Sequence, residues 1–323
     1  MKKHFKKLLL MALMAVMAVG LIACGTDKSD NESTKEEKTS VTITSLDASK
    51  NEIELEVPYN PKRIAILDLA SLDIIDELGV GDRVVGMAST SIDYLEKYSN
   101  DASIKNLGTI KEADLEAVME CEPDIIFIGG RLSKSYDALS EIAPVVYLAT
   151  DEGLVNSVSK NAKTIASIFG MEDKVDSLMS DFGARIDTIK KISSGKTALV
   201  GMTTSGSFNL LGNDGRCSLI GVEAGFNNLT AAGSTSTHGN ETSFETVVKQ
   251  NPDYIFVMDR DSAISTAGAK NAKEIVENEL VKTTDAYKNN HIIYLEHSNV
   301  WYTAEGGIQA LDIMLTDLEK GLK

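Results

Sequence analysis

Short runs of β-branched and aliphatic residues recur along this chain, and most are followed by stretches whose apolar positions repeat every three to four residues. The runs RIAILD (63–68), RVVGMA (83–88), PVVYLA (144–149), KTALVGMTT (196–204) and HIIYLE (291–296) predict strands buried on both faces, since such strands read as near-continuous apolar segments. LASLDIIDELG (69–79), residues 134–142, NAKEIVENELV (271–281) and EGGIQALDIMLTDLEKGL (305–322) carry helical spacing. Ahead of them, VTITS (41–45) and NEIELEVP (51–58) alternate apolar and polar residues around a short polar turn, which predicts a β-hairpin. SNVWYTA (298–304), which holds the single tryptophan, reads as the loop before the last helix.

One pattern occurs twice. Residues 114–131 (DLEAVMECEPDIIFIGGR) and 243–260 (SFETVVKQNPDYIFVMDR) align without gaps, sharing Glu116/Glu245, Val118/Val247, Pro123/Pro252, Asp124/Asp253, Phe127/Phe256 and Arg131/Arg260. Each copy reads as a short amphipathic helix, a turn at proline, a buried strand and an arginine at the strand's carboxyl end. Open α/β sheets bind ligands at that end. Two copies predict two similar α/β lobes with mostly parallel sheets, each presenting a cation toward a cleft between them. Between the copies, residues 153–192 show only helical spacing and no strand signal. They predict a linker of two helices broken at Gly170, stiffer than extended strands and therefore limiting closure. The expected domains are an N-terminal lobe over 41–152, this linker over 153–192, and a C-terminal lobe over 193–323.

The start of the chain is different in kind. Lys2, Lys3, Lys6 and Lys7 precede an apolar run from Leu8 to Ala23, which is shorter than a membrane span requires and matches a secretory signal over residues 1–23. The run ends in Leu21-Ile22-Ala23-Cys24, which resembles a bacterial lipobox and makes Cys24 the expected site of lipidation. Residues 24–40 then lack the apolar content to pack, and predict a flexible tether reaching about 20–25 Å. Placement at the extracytoplasmic face of a cell membrane follows.

Removing the four signal lysines from 32 basic residues leaves 28 against 48 acidic ones, a net charge of −20. A chain this acidic repels nucleic acid and anionic lipid, so any anion it binds must meet a local cluster of cations. Cys121 and Cys217, one in each expected lobe, form no disulfide framework and read as two unpaired small apolar residues. No nucleophile elbow, phosphate loop, dinucleotide fingerprint or HExxH motif is present, so the chain does not read as an enzyme. After the signal, only His238, His291 and His297 remain, too scattered for a dedicated zinc or manganese cage. No intrinsic cofactor is expected.

What stands out is a set of polar residues where strands end: Arg131 with Lys134 one turn beyond, Arg216 in a glycine-rich loop, His238 in TAAGSTSTHGNETS (230–243), Arg260, and Tyr302 beside Trp301. Guanidinium offers fixed, paired donors suited to delocalised oxyanions. Imidazole and phenolate can both ligate a hard metal.

GGRLSKSYDALSEIAP (129–144), the Gly215-Arg216 pair, Thr237-His238-Gly239, NPDYIFVMDR (251–260) and Val300-Trp301-Tyr302 together resemble the lipoprotein receptors for iron–catecholate siderophores. These are binding proteins with a helical backbone that feed ABC importers. The resemblance covers residues 50–323 and implies that Arg131, Arg216 and Arg260 bind catecholate oxygens. It implies that Lys134 and Trp301 line the pocket, and that His238 and Tyr302 coordinate iron where the chelator leaves positions open. It also implies an ABC permease as partner and a monomeric chain. Docking would use surface acids, among which Glu77 and Glu223 are candidates. Cys217 beside Arg216 departs from the expected pattern. A haem or corrinoid ligand on the same fold is the nearest alternative; a surface-anchored enzyme acting on an anionic substrate, or an adhesive protein, is a more distant one.

Overall fold

A computed structural model describes residues 38–150, 153–231, 236 and 238–323. The signal (1–23), Cys24 and the tether up to residue 37 lie outside the described residues.

The first strands, β1 (Ser40–Leu46) and β2 (Glu52–Pro58), pair antiparallel from Ser40 opposite Pro58 to Leu46 opposite Glu52. Ser45 ties this hairpin to the body. Its hydroxyl donates to the Tyr147 carbonyl at 3.2 Å and accepts the Tyr147 N–H at 3.0 Å. β3 (Ile64–Leu67) follows, buried at every position, and then α1 (Leu69–Glu77). Asp68 caps α1 by accepting the Ser71 N–H at 2.9 Å. Next come β4 (Val84–Met87), the short α2 (Glu96–Ser99), β5 (Lys105–Asn106), α3 (Leu115–Glu120), β6 (Ile125–Ile128), α4 (Tyr136–Ser140) and β7 (Val145–Tyr147). The sheet order is β5-β4-β3-β6-β7, parallel throughout.

The linking segment holds three helices, not two: α5 (Leu154–Phe169), α6 (Glu172–Leu178) and α7 (Phe182–Ser193). Gly170, left-handed at φ 67°, ends α5 as its position suggests. The second break precedes Phe182, at Asp181, whose side chain makes no capping bond and so leaves no mark in the sequence.

A second sheet is built from β8 (Thr197–Thr204), β9 (Ser207–Leu210), β10 (Asn227–Asn228), β11 (Asn240–Glu241), β12 (Tyr254–Asp259) and β13 (Ile292–Tyr294). Its order is β11-β9-β8-β12-β13, with β10 also on β8. β8, β10, β12 and β13 run parallel, and β9 pairs antiparallel with both β8 and β11, so this sheet is mixed with β9 as its reversed strand. The reversal is a two-residue loop, Ser205–Gly206, with φ of 51° and 81°, as the twist of a tight hairpin requires. Around this sheet lie α8 (Ser218–Gly221), α9 (Phe244–Gln250), α10 (Arg260–Ala263), α11 (Ala272–Val276), α12 (Asp285–Lys288), α13 (Ser298–Thr303) and α14 (Ile308–Gly321). SNVWYTA is therefore mostly helical.

Both copies of the repeat dock in the same way. Asp114 caps α3 and Ser243 caps α9 through their side chains. The aspartate after each proline then clamps the entry of the neighbouring strand. Asp124 accepts the Lys62 and Arg63 N–H groups at 2.7 and 2.9 Å before β3, and Asp253 accepts the Thr197 N–H at 2.8 Å at the start of β8. Arg131 and Arg260 thus emerge past equivalent strands.

One apolar core runs through both lobes. Ile64 and Ile66 of the first sheet share it with Val200 and Met202 of the second, through α5, α7 and α14. Separate cores cover the outer faces. A shared, close-packed centre resists wide hinge opening.

Candidate ligand-binding site

Tyr302 is the centre on which the three arginines converge. It lies on α13, 3% exposed, with the Cζ atoms of Arg216, Arg260 and Arg131 at 4.4, 5.6 and 5.8 Å from its ring centroid. Its carbonyl accepts from Arg131 Nη2 at 3.3 Å and from Arg216 Nε at 3.5 Å, and its hydroxyl accepts from Arg260 Nε at 3.2 Å. One arginine comes from the first lobe and two from the second, so the site bridges them. Arg131 stands on a 3₁₀ turn (Gly130–Ser135) just past β6, and Arg260 opens α10 directly after β12.

The arginines are held by unequal means. Arg260 pairs with Asp261 at 3.2 Å and donates to Thr204 Oγ1 at 3.3 Å, while Asp261 also accepts the Ser205 N–H at 2.6 Å. Arg131 is pushed below the usual arginine range, first by burial and then by the like charge of Arg216; Asp68 and Glu305 act in the opposite sense. Stacking on the tyrosine face offsets part of that repulsion. Guanidiniums gathered in this way can pair with an anion, which would relieve their mutual repulsion.

A cavity of about 360 Å³ opens beside this cluster, lined among others by Lys50, Asp68, Arg131, Arg216, Tyr302 and Glu305. Burial raises the Asp68 carboxyl above its ordinary value, against the Ser71 bonds and Arg131. A Cβ at Gly129 would sit 2.6 Å from Asp68 Oδ1, so a larger residue there would push the carboxylate aside. Glu305 is pushed up to about 7 by burial, opposed chiefly by Arg216. Neither acid was anticipated from the sequence. Position marks Asp68 as the polar residue that caps a helix after a strand, and Glu305 as an acid before Gly306-Gly307, but neither signals a neighbouring arginine.

Cys217 takes φ 60°, turning the chain into α8, and its N–H donates to Glu305 Oε1 at 3.2 Å. Its thiol is free and fully buried, and so is that of Cys121.

His238 sits in an exposed turn, held by its carbonyl, which accepts from Asn209 Nδ2 at 2.8 Å. Burial and then Arg260, Arg216, Lys111 and Arg131 push its imidazole below its ordinary value. Both effects favour the neutral ring, the form that can donate a lone pair. Residues 232–235 and Thr237 of that loop lie outside the described residues. Lys134 is exposed on the same turn as Arg131 and does not line the cavity.

Trp301 departs from expectation. It is 0% exposed, and its indole N–H donates to the buried Asp317 carboxylate at 2.9 Å, so it is a core residue behind Tyr302 and not a pocket wall. Helical geometry points neighbours about 100° apart, which turns Trp301 inward when Tyr302 faces the arginines. Glu223 is likewise committed: its Oε1 accepts the Val155 N–H at 3.1 Å at the start of α5. Among the described residues, Glu296, His297 and Asp317 come close enough to hold a metal ion. Asp317 is already bonded to Trp301 and to the His297 ring and N–H, and Glu296 to Lys320.

The petrobactin-binding protein YclQ of Bacillus subtilis (strain 168) is 36% identical over 98% of this chain and 99% of its own length. Its crystal structure superposes with a TM-score of 0.81, covering 88% of this chain and 99% of that one. The periplasmic catecholate-siderophore binding protein VctP of Vibrio cholerae is 31% identical with a TM-score of 0.78, covering 87% and 100%. The ferric-anguibactin-binding protein FatB of Vibrio anguillarum (strain ATCC 68554 / 775) is 26% identical over 82% of this chain and 84% of its own. The periplasmic binding protein family model matches residues 64–298. With more than half of its length matched, this chain belongs to the periplasmic binding protein family.

Proposed function

We propose that this chain captures a ferric siderophore, of catecholate type, and delivers it to the permease of an ABC importer. It acts as a monomer anchored to the cell membrane through lipid on Cys24. The observation that carries the reading is the convergence of Arg131, Arg216 and Arg260 on Tyr302. The names of YclQ and VctP specify petrobactin and catecholate siderophores, which supports this ligand class.

Each guanidinium offers paired N–H donors to catecholate oxygens, and a charge-assisted hydrogen bond is worth about 1.5–3 kcal/mol. Three arginines therefore supply about 5–9 kcal/mol, against the roughly 12 kcal/mol of nanomolar affinity. The remainder comes from contact with the cavity wall and from His238 and Tyr302 where the chelator leaves iron positions open. For Tyr302 to reach the metal, Arg260 must release its hydroxyl and turn to the ligand. Lys50, exposed and on the cavity lining, adds a further cation.

Titrating the protein with ferric petrobactin, a ferric tris-catecholate, ferric citrate and haem tests this reading. Saturable nanomolar binding of the catecholates, with the others much weaker, is expected. Preference for haem, or no binding of any ferric complex by folded protein, overturns it.

A further inference from the structure

Glu305 lies in the link between α13 and α14, on the inner wall of the cavity. A hydrogen bond holds its carboxylate: Oε1 accepts the N–H of Cys217, the residue next to Arg216. Gly306 beside it has φ 117°, and a Cβ there would stand 3.2 Å from Ala70 Cβ, so the backbone that follows Glu305 runs close against α1. Glu305 lines the same cavity as Arg216 and Arg131; these two attract its charge, Glu223 repels it, and the Cys217 thiol is the other titratable group beside it.

We propose that Glu305 is the internal counter-ion of the Arg216–Arg131 pair in the ligand-free cleft, and that an anionic ligand takes these arginines over while a proton from solvent neutralises the carboxylate. This rests on the reading of the cleft as an anion site and extends it to the charge that the ligand must carry. A carboxylate so placed keeps two like-charged guanidiniums together while the cleft is empty. When negative oxygens arrive, the arginines' hold on Glu305 weakens and repulsion is added, and both changes favour its protonated form. Because burial already brings the group to about 7, that proton is available near neutrality. The device also sets specificity. A ligand with little negative charge cannot displace the carboxylate from the arginines, and is disfavoured.

The test is calorimetric titration of the full-length chain in detergent with ferric petrobactin, at pH 7 and pH 8, in buffers of different protonation enthalpy. The expected uptake is about half a proton at pH 7, rising toward one at pH 8, with affinity falling several-fold over that unit. Glu305→Gln keeps an acceptor for the Cys217 N–H; it should abolish the uptake, flatten the pH dependence and narrow the preference for the more anionic of two ferric complexes. Uptake that persists in E305Q, or is absent from the wild type, overturns the proposal while leaving siderophore binding intact. Failure of every ferric complex to bind overturns both. Should E305Q not fold, infrared difference spectra of the wild type decide: a protonated-carboxyl band must grow on adding ferric petrobactin, and its absence refutes the proposal.

Discussion

Removing Arg260 should cost more affinity than removing Arg131, because Arg260 leaves a carboxylate behind. Asp261 is 4% exposed and pairs with Arg260 at 3.2 Å. In Arg260→Ala the ligand loses one charge-assisted contact, about 1.5–3 kcal/mol. It also meets Asp261 without the intervening cation. An oxyanion on the far side of the missing guanidinium lies about 6 Å from that carboxylate, and at an effective dielectric near 20 the repulsion is about 3 kcal/mol. The sum predicts a loss of about 10³- to 10⁴-fold, against about 10- to 150-fold for Arg131→Ala. The double variant Arg260→Ala/Asp261→Asn removes the repulsion while keeping an amide oxygen for the Ser205 N–H, and should recover about two orders of magnitude. Titration of ferric petrobactin into the three variants, with thermal unfolding as a folding control, provides the comparison. If the double variant binds no better than Arg260→Ala, the electrostatic reasoning is wrong.

Three further outcomes are expected. Asp73 is buried in α1 and accepts the Gln309 and Ala310 N–H groups at the start of α14, and burial raises it to about 6. Its folded form holds a proton that the unfolded form has lost, so between about pH 4 and pH 6 stability should fall by up to about 3 kcal/mol and then level off. Urea unfolding of Asp73→Asn should show that slope removed; an unchanged slope contradicts the assignment. Trp301→Phe, which strips Asp317 of one donor, should cost about 1–3 kcal/mol of stability while leaving ferric-ligand affinity within about threefold; a large loss of affinity at unchanged stability would return Trp301 to the pocket wall. His238→Ala and Tyr302→Phe should weaken ferric complexes of tetradentate chelators far more than hexadentate ones, and equal losses for both would exclude coordination by these side chains.

The parts of this fold legible in the sequence are those in which local pattern and tertiary role coincide. β3, β6, β8 and β12 are buried on both faces, so their apolar runs announce them directly. The repeat located Arg131 and Arg260 because the strands they follow are equivalent, down to the aspartate clamps at Asp124 and Asp253. β9 was hidden in a serine-rich segment, yet Ser205–Gly206 is a hairpin turn signal that the polar composition around it obscured. Trp301 does not line the pocket as the resemblance implies, because on a helix its side chain diverges from that of Tyr302 and turns into the core. Glu305 and Asp68 were illegible for a different reason. An acid among 48 acidic residues carries no signal until the fold sets it beside Arg216 or Arg131. The same applies to Glu223, whose carboxylate is engaged by the Val155 N–H across the fold.

The most direct test of the central claim is to locate the iron. Anomalous diffraction at the iron edge from crystals grown with ferric petrobactin should show one peak in the cleft beside Tyr302, with ligand oxygens about 2.7–3.2 Å from the guanidiniums of Arg131, Arg216 and Arg260. Iron at Glu296, His297 and Asp317 instead, or a ligand that leaves the three arginines untouched, would contradict it.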